Sequence, residues 1–265
     1  MRPVALLVAW TSLVALSPAA WAAEDPLARA RLLYNQREFV GAVNAAEQAR
    51  LQPGRADSAD LIAARAYLER FRESAASDDL TNARERLRRL DPQRLGAVER
   101  SEFLVGLGET LFFDNAFGAA AEVFLSVVTK DEGLAPEARE RTLDWWASAV
   151  DRDARSRPDL ERQPMYQRVR DRMHDELAVR PASATAVYWL AAAARAQGDL
   201  QAAWDAAEAG WVRASLAPDH GASLRADLDR LMQRAIVPER ARAVDQPADS
   251  LRLEWERFKE RWKKE

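Results

Sequence analysis

From Asp25 onward apolar residues recur at steps of three and four, with no sustained alternation of Val, Ile, Thr or aromatic residues. That period predicts amphipathic helices and no strands. Breakers cut the pattern at Pro53-Gly54, Asp91-Pro92, Gly133 to Pro136, Arg180-Pro181 and Ala217-Pro218-Asp219. Each stretch between breakers is divided again by a polar turn, at Asn35-Gln36, Ser77-Asp78-Asp79, Asp114-Asn115, Arg157 to Gln163, and Gln197-Gly198-Asp199. The expectation is an all-α chain of about five antiparallel helix pairs. Two further amphipathic helices are expected to close it. Gly221 to Ile236 carries Leu224, Leu228, Leu231 and Met232 on one face, and Ser250 to Lys264 carries Leu251, Trp255, Phe258 and Trp262 on another.

The second helices of the pairs share a phrase in which a bulky residue after the turn is followed by small or apolar residues at steps of three and four. It reads Phe39, Ala42, Ala46, Ala49 in the first pair and Leu80, Ala83, Leu87, Leu90 in the second. Phe117, Ala120, Phe124 and Val127 carry it in the third, Tyr166, Val169, Met173 and Leu177 in the fourth, and Leu200, Ala203, Ala207 and Gly210 in the fifth. Recurrence at intervals near 34 residues, stretched by insertions, describes a repeating helix hairpin. Small side chains let two backbones approach, and each hairpin is left with an apolar face that only the next one covers.

These residues resemble the tetratricopeptide repeat family over roughly residues 26 to 215. Leu107-Gly108 with Leu111, and Leu190-Ala191 with Ala194, occupy the places of its first-helix pattern, and Gly198 matches its turn glycine. Phe39, Phe117 and Tyr166 match the aromatic after the turn, Ala42, Ala83, Ala120 and Ala203 the small residue, and Pro53, Pro92 and Pro181 the terminating proline. The resemblance implies an α-solenoid over residues 24–218, capped by helices in 219–265, that binds a protein or peptide partner along the groove lined by its first helices.

The segment before the pattern has a different character. Arg2 is followed by an apolar run from Val4 to Leu16, then Ser17-Pro18 and the small-residue frame Ala20-Trp21-Ala22. Residues 1–22 read as a secretory signal peptide cleaved near Ala22. An uncleaved anchor is the alternative, because Val4 to Ala23 holds no charged residue over a length that just spans a bilayer. Arginine far outnumbers lysine and alanine is abundant, a balance associated with GC-rich bacterial genomes, so a periplasmic or secreted location is expected.

Composition narrows the chemistry. The absence of cysteine excludes disulfides, Cys-ligated metals and redox thiols, and a formal net charge of −3 gives no basic excess for nucleic acid. No HExxH, GxSxG, GxxxxGK[ST] or GxGxxG occurs, so no enzyme class, cofactor or metal is implied. His174 and His220 are too far apart to suggest a shared site. Glu109 with Asp114, and Asp151 with Asp153, sit among arginines and read as surface ion pairs, as does the run Arg84, Arg86, Arg88, Arg89, Arg94.

The aromatic doublets are more informative. Neighbours on a helix diverge by about 100°, so Trp145-Trp146 either bury both rings between successive hairpins, the favoured arrangement, or turn one ring toward the groove. Phe112-Phe113 and Tyr188-Trp189 pose the same choice. In the second case Phe113, Trp145 and Tyr188, with Glu109 and Arg195, form a partner-binding surface. The function expected is that of an exported, non-catalytic scaffold mediating protein–protein contact in the cell envelope. The alternative is a module that binds or processes envelope polysaccharide or peptidoglycan, where a Trp beside two carboxylates marks the cleft. A lesser expectation is membrane-surface contact through Trp255, Phe258, Trp262 and Lys263-Lys264.

Overall fold

The computed structural model describes residues 25–130, 134–217 and 219–262, and these form helices without any strand. The signal-like segment and Lys263-Lys264 lie outside the described residues. In chain order the helices are α1 (Pro26–Asn35), α2 (Phe39–Arg50), α3 (Ala56–Ser74), α4 (Ser77–Arg89), α5 (Ala97–Phe113), α6 (Phe117–Val128), α7 (Pro136–Arg155), α8 (Asp159–Val179), α9 (Ala184–Ala196) and α10 (Leu200–Arg213). They are followed by α11 (Ala222–Leu231), α12 (Val237–Ala243) and α13 (Ala248–Arg261).

Local chemistry sets these boundaries. Asp25, Ser183 and Asp199 each accept a hydrogen bond from a backbone N–H of the helix they precede, satisfying donors that have no partner inside the helix. Gly198 turns between α9 and α10 with a φ of 81°, a conformation glycine adopts without strain.

Two turns differ from the sequence pattern. The one expected at Ser77-Asp78-Asp79 falls at Ala75-Ala76, and Asp78 and Asp79 belong to the first turn of α4, where carboxylates suit the positive end of the helix dipole. The long turn expected over Arg157 to Gln163 is short, because α8 begins at Asp159 and carries Pro164 within it. The carbonyl that Pro164 leaves without a donor belongs to Leu160, which is exposed. Near the C-terminus, α11 runs on into α12 through a π-helical turn at Met232–Ile236, where the Val237 N–H reaches back to the Met232 carbonyl. Pro238 follows directly and lacks the N–H that would have continued the α-helical ladder.

Each helix from α1 to α10 packs on the next, and each odd-numbered helix up to α9 also touches the following odd-numbered one. The apolar clusters follow chain order in the same way. One joins α1, α2 and α3, another α3, α4 and α5, a large one spans α6 to α9, and a second large one gathers α9 to α13. The second positions of the repeated phrase are fully buried: Ala42, Ala83, Ala120, Val169 and Ala203 are all 0% exposed. Gly108 of α5 faces Phe124 of α6, and a Cβ on Gly108 would lie 2.5 Å from that ring. Trp255 and Phe258 of α13 are buried, Trp255 edge-on to Trp204 and Trp211 and stacked on Phe258. The stripe considered for a membrane surface is therefore used in packing, and of its described residues only Trp262 is exposed. No helix among the described residues is long and apolar enough to cross a membrane.

Candidate functional site: a groove lined by the odd-numbered helices

The odd-numbered helices turn one face outward together. On α3 that face carries Arg65, Glu69 and Arg72 at steps of four and three, on α5 Glu102, Glu109 and Phe112, on α7 Arg141, Trp145 and Ser148, and on α9 Thr185 and Tyr188, as the helical period requires. Two cavities open along it. The first, of about 330 Å³, lies between α1, α3, α5 and α7 and is lined by Tyr34, Arg65, Glu69, Glu102, Glu109, Glu137, Arg141 and Trp145 together with small and apolar residues. The second, of about 560 Å³, continues past α7 to α9 and α11, with Arg72, Phe112, Glu140, Asp144, Tyr188 and Asp227 in its walls. Arg141 and Trp145 line both, so the cavities join into one groove.

Within the first cavity the charges are unevenly committed. Glu69 accepts from the Tyr34 hydroxyl at 3.4 Å and from Arg72 at 2.9 Å, with Arg141 at 3.9 Å. Arg65 holds Glu102 at 2.6 Å and lies over the Tyr34 ring at 4.4 Å. Glu109 makes no hydrogen bond or ion pair among the described residues. Burial pushes its carboxyl up to about 7, and the charge of Glu69 adds to the rise against the pull of Arg72, Arg65 and Arg141. Farther along, burial raises the Tyr188 hydroxyl, with Asp227, Asp144 and Asp151 acting in the same direction.

The aromatic wall is built by contact. The Trp145 ring is edge-on to Phe112 at 4.8 Å and to Phe113 at 5.6 Å, stacked on Phe124 at 6.0 Å, and covered by the Arg72 guanidinium at 5.5 Å. Phe113 in turn packs edge-on against Phe71 of α3 at 4.8 Å.

The structure thus brings together three of the five residues expected at a partner-binding surface. Glu109, Trp145 and Tyr188 line the groove, whereas Phe113 stands behind Trp145 and its neighbour Phe112 takes the lining position. Arg195 is engaged elsewhere, in a two-pronged pair with Glu239 of α12 at 2.5 and 2.9 Å. Trp145 and Trp146 do not share a buried layer as favoured from sequence: Trp146 is 0% exposed in the core, and Trp145 faces the groove. The doublet Tyr188-Trp189 divides likewise, with the Trp189 indole buried and donating to Asp144 at 2.8 Å.

Among the expected surface ion pairs, Asp114 binds Arg84, Asp151 binds Arg155 and Asp153 binds Arg157, whereas Glu109 is part-buried in the cavity wall and has no such partner among the described residues. In the arginine run, Arg84, Arg86, Arg89 and Arg94 each meet a carboxylate. Sequence reasoning missed Arg65, Glu69, Arg72 and Arg141. Their signal was a charged stripe at steps of four and three on first helices, visible when first helices rather than second ones are aligned.

Among the described residues no group of three or more His, Asp or Glu side chains is placed to hold a metal ion. Comparison with protein-family models, with curated proteins and with solved structures found no match to the chain.

Proposed function

We propose that the chain is an exported, non-catalytic scaffold, a tetratricopeptide-like α-solenoid whose odd-numbered helices form a groove for a protein or peptide partner in the bacterial cell envelope. The observation that carries this reading is the continuity of the groove. Six odd-numbered helices, α1 to α11, contribute to it in chain order, and Arg141 and Trp145 join its two halves. The leader-like residues 1–22 support export. An aromatic ring backed by packed rings and ringed by polar groups is the composition of interface anchors.

A photo-crosslinking residue in place of Tyr188 should form discrete adducts in intact cells, and Trp145→Ala should abolish them. The same residue at Leu160, 88% exposed on α8, should form none. Equal adducts from both positions overturn the groove as the binding surface. Recovery of the chain from the cytosolic fraction, with residues 1–22 still attached, overturns export.

One arrangement favours a second reading. Glu69 and Glu109 face one cavity beside Trp145, and burial with the Glu69 charge pushes the Glu109 carboxyl up to about 7, a feature shared with the general acid of glycoside hydrolysis. Arg72 bound to Glu69 weighs against it by neutralising the second carboxylate. New reducing ends released from soluble peptidoglycan strands by the wild type, and not by Glu109→Gln, would establish this activity. Their absence leaves the scaffold reading.

A further inference from the structure

We propose that the groove takes an extended cationic peptide, and that one Lys or Arg side chain of this partner enters the cavity between α1, α3, α5 and α7 to rest against the Glu109 carboxylate. The inference depends on the groove-binding reading and adds the chemistry of the occupant.

Charge is the first ground. Carboxylates lining the two joined cavities outnumber guanidinium groups seven to three, while the whole chain is nearly balanced at 42 acidic to 39 basic residues. The acidic excess is concentrated where the odd-numbered helices meet. A field of that sign draws cations into a cleft and repels acidic segments.

The second ground is which charges are already satisfied. Arg65 has Glu102 as counter-ion and Arg72 has Glu69, at 2.6 and 2.9 Å. Glu109, part-buried in the cavity wall, has no such partner among the described residues. A carboxylate partly withdrawn from water and without a counter-ion in contact gains from a ligand that brings a positive charge.

The walls supply the third. Tyr34 of α1 and Trp145 of α7 both line the cavity, and each ring already holds a guanidinium, Arg65 at 4.4 Å and Arg72 at 5.5 Å, in keeping with the attraction of cations to aromatic rings. The volume, about 330 Å³, is at the small end for ligand pockets and suits one long side chain rather than a folded domain. The larger cavity beyond Trp145 accommodates the neighbouring residues of an extended chain.

Binding of this kind is linked to protons. The groups around Glu109 are Tyr34 from α1, Arg65, Glu69 and Arg72 from α3, Glu102 on α5 itself, and Glu137 and Arg141 from α7. In the free protein Glu109 titrates at about 7. An entering cation favours its charged form, so binding near neutral pH releases a proton and tightens as pH rises.

The test uses the purified chain and an array of twelve-residue peptides graded in charge from acidic to basic, followed by fluorescence anisotropy with an alternating Ala-Lys peptide at pH 6 and pH 8 in physiological salt. Binding should rise with positive charge and weaken at least tenfold in Trp145→Ala and in Glu109→Gln at pH 8. The wild type should bind at least fivefold more tightly at pH 8 than at pH 6, and Glu109→Gln equally at both. Calorimetry of the wild type in two buffers of different ionisation enthalpy reads proton release without any substitution, so a variant that misfolds does not remove the test. Trp145-dependent binding that favours acidic or neutral peptides overturns the cationic occupant and leaves the groove reading standing. Binding without proton release removes Glu109 as the counter-ion. No peptide whose binding depends on Trp145 overturns both readings.

Discussion

Arg139 and Glu176 meet in a buried two-pronged ion pair, Nε to Oε1 at 3.0 Å and Nη2 to Oε2 at 2.9 Å, with side-chain exposures of 7% and 1%. Arg139 also donates to the Val128 carbonyl at 3.0 Å, so one guanidinium ties the end of α6 to the start of α7 and the end of α8. Arg172 and Arg180 add further hydrogen bonds to the same carboxylate.

Removing one partner should be far worse than removing both. Glu176→Ala leaves buried positive charge uncompensated and is expected to destabilise the fold by about 3 to 5 kcal/mol in urea denaturation, and Arg139→Met/Glu176→Leu by less than the sum of its single changes. Burial alone would raise the Glu176 carboxyl, but the hydrogen bonds and charge of Arg139, with Arg172 and Arg180, hold it below its ordinary value. A depressed carboxylate contributes stability in full above its unfolded value and loses it as pH falls through the folded one. The wild type should therefore lose stability below about pH 4 more steeply than Glu176→Gln.

Glu109 has the opposite sign. Its carboxyl is raised to about 7 from an ordinary 4.5, so the folded state binds a proton that the unfolded state releases. Stability falls as pH rises through this interval, by on the order of 3 kcal/mol once the group is fully charged. Glu109→Gln should raise the melting temperature at pH 8 and change it little at pH 5. Equal effects at both values would show that the carboxyl titrates normally.

Gly108 should not tolerate a methyl group. Although Gly→Ala within a helix ordinarily gains about 1 kcal/mol, a Cβ at 2.5 Å from the Phe124 ring forces that ring toward Trp145. A net loss of about 1 to 3 kcal/mol is expected, reduced when Phe124→Leu is combined with it. Strict additivity in that double variant would contradict the close approach.

Arg195 separates stability from binding. Arg195→Ala breaks the pair with Glu239 and should loosen α12, visible as faster amide exchange in α12 at a stability cost of about 1 kcal/mol. Binding that depends on Trp145 should be unaffected. A loss of groove binding equal to that of Trp145→Ala would return Arg195 to the site.

The legible part of this protein is what repeats locally. Helical period, breakers and the small positions at Ala42, Ala83, Ala120 and Ala203 are properties of neighbours a few residues apart, and they place five hairpins in the observed order. Even there, residue type misled where position mattered, as at Asp78 and Asp79, whose carboxylates begin α4 instead of forming the turn.

The groove is a different kind of property. Glu69, Glu109 and Arg141 are far apart in the chain, and whether each carboxylate finds a counter-ion depends on which faces of α1, α3, α5 and α7 converge. The choice of Trp145 over Trp146 and of Phe112 over Phe113, and the capture of Arg195 by Glu239, are settled by the rotation of each helix against its neighbours. The sequence alone determined that hairpins form and in what order. Only the tertiary structure decided which side chains are left to meet a partner, because burial and charge in a cavity sum over several helices at once.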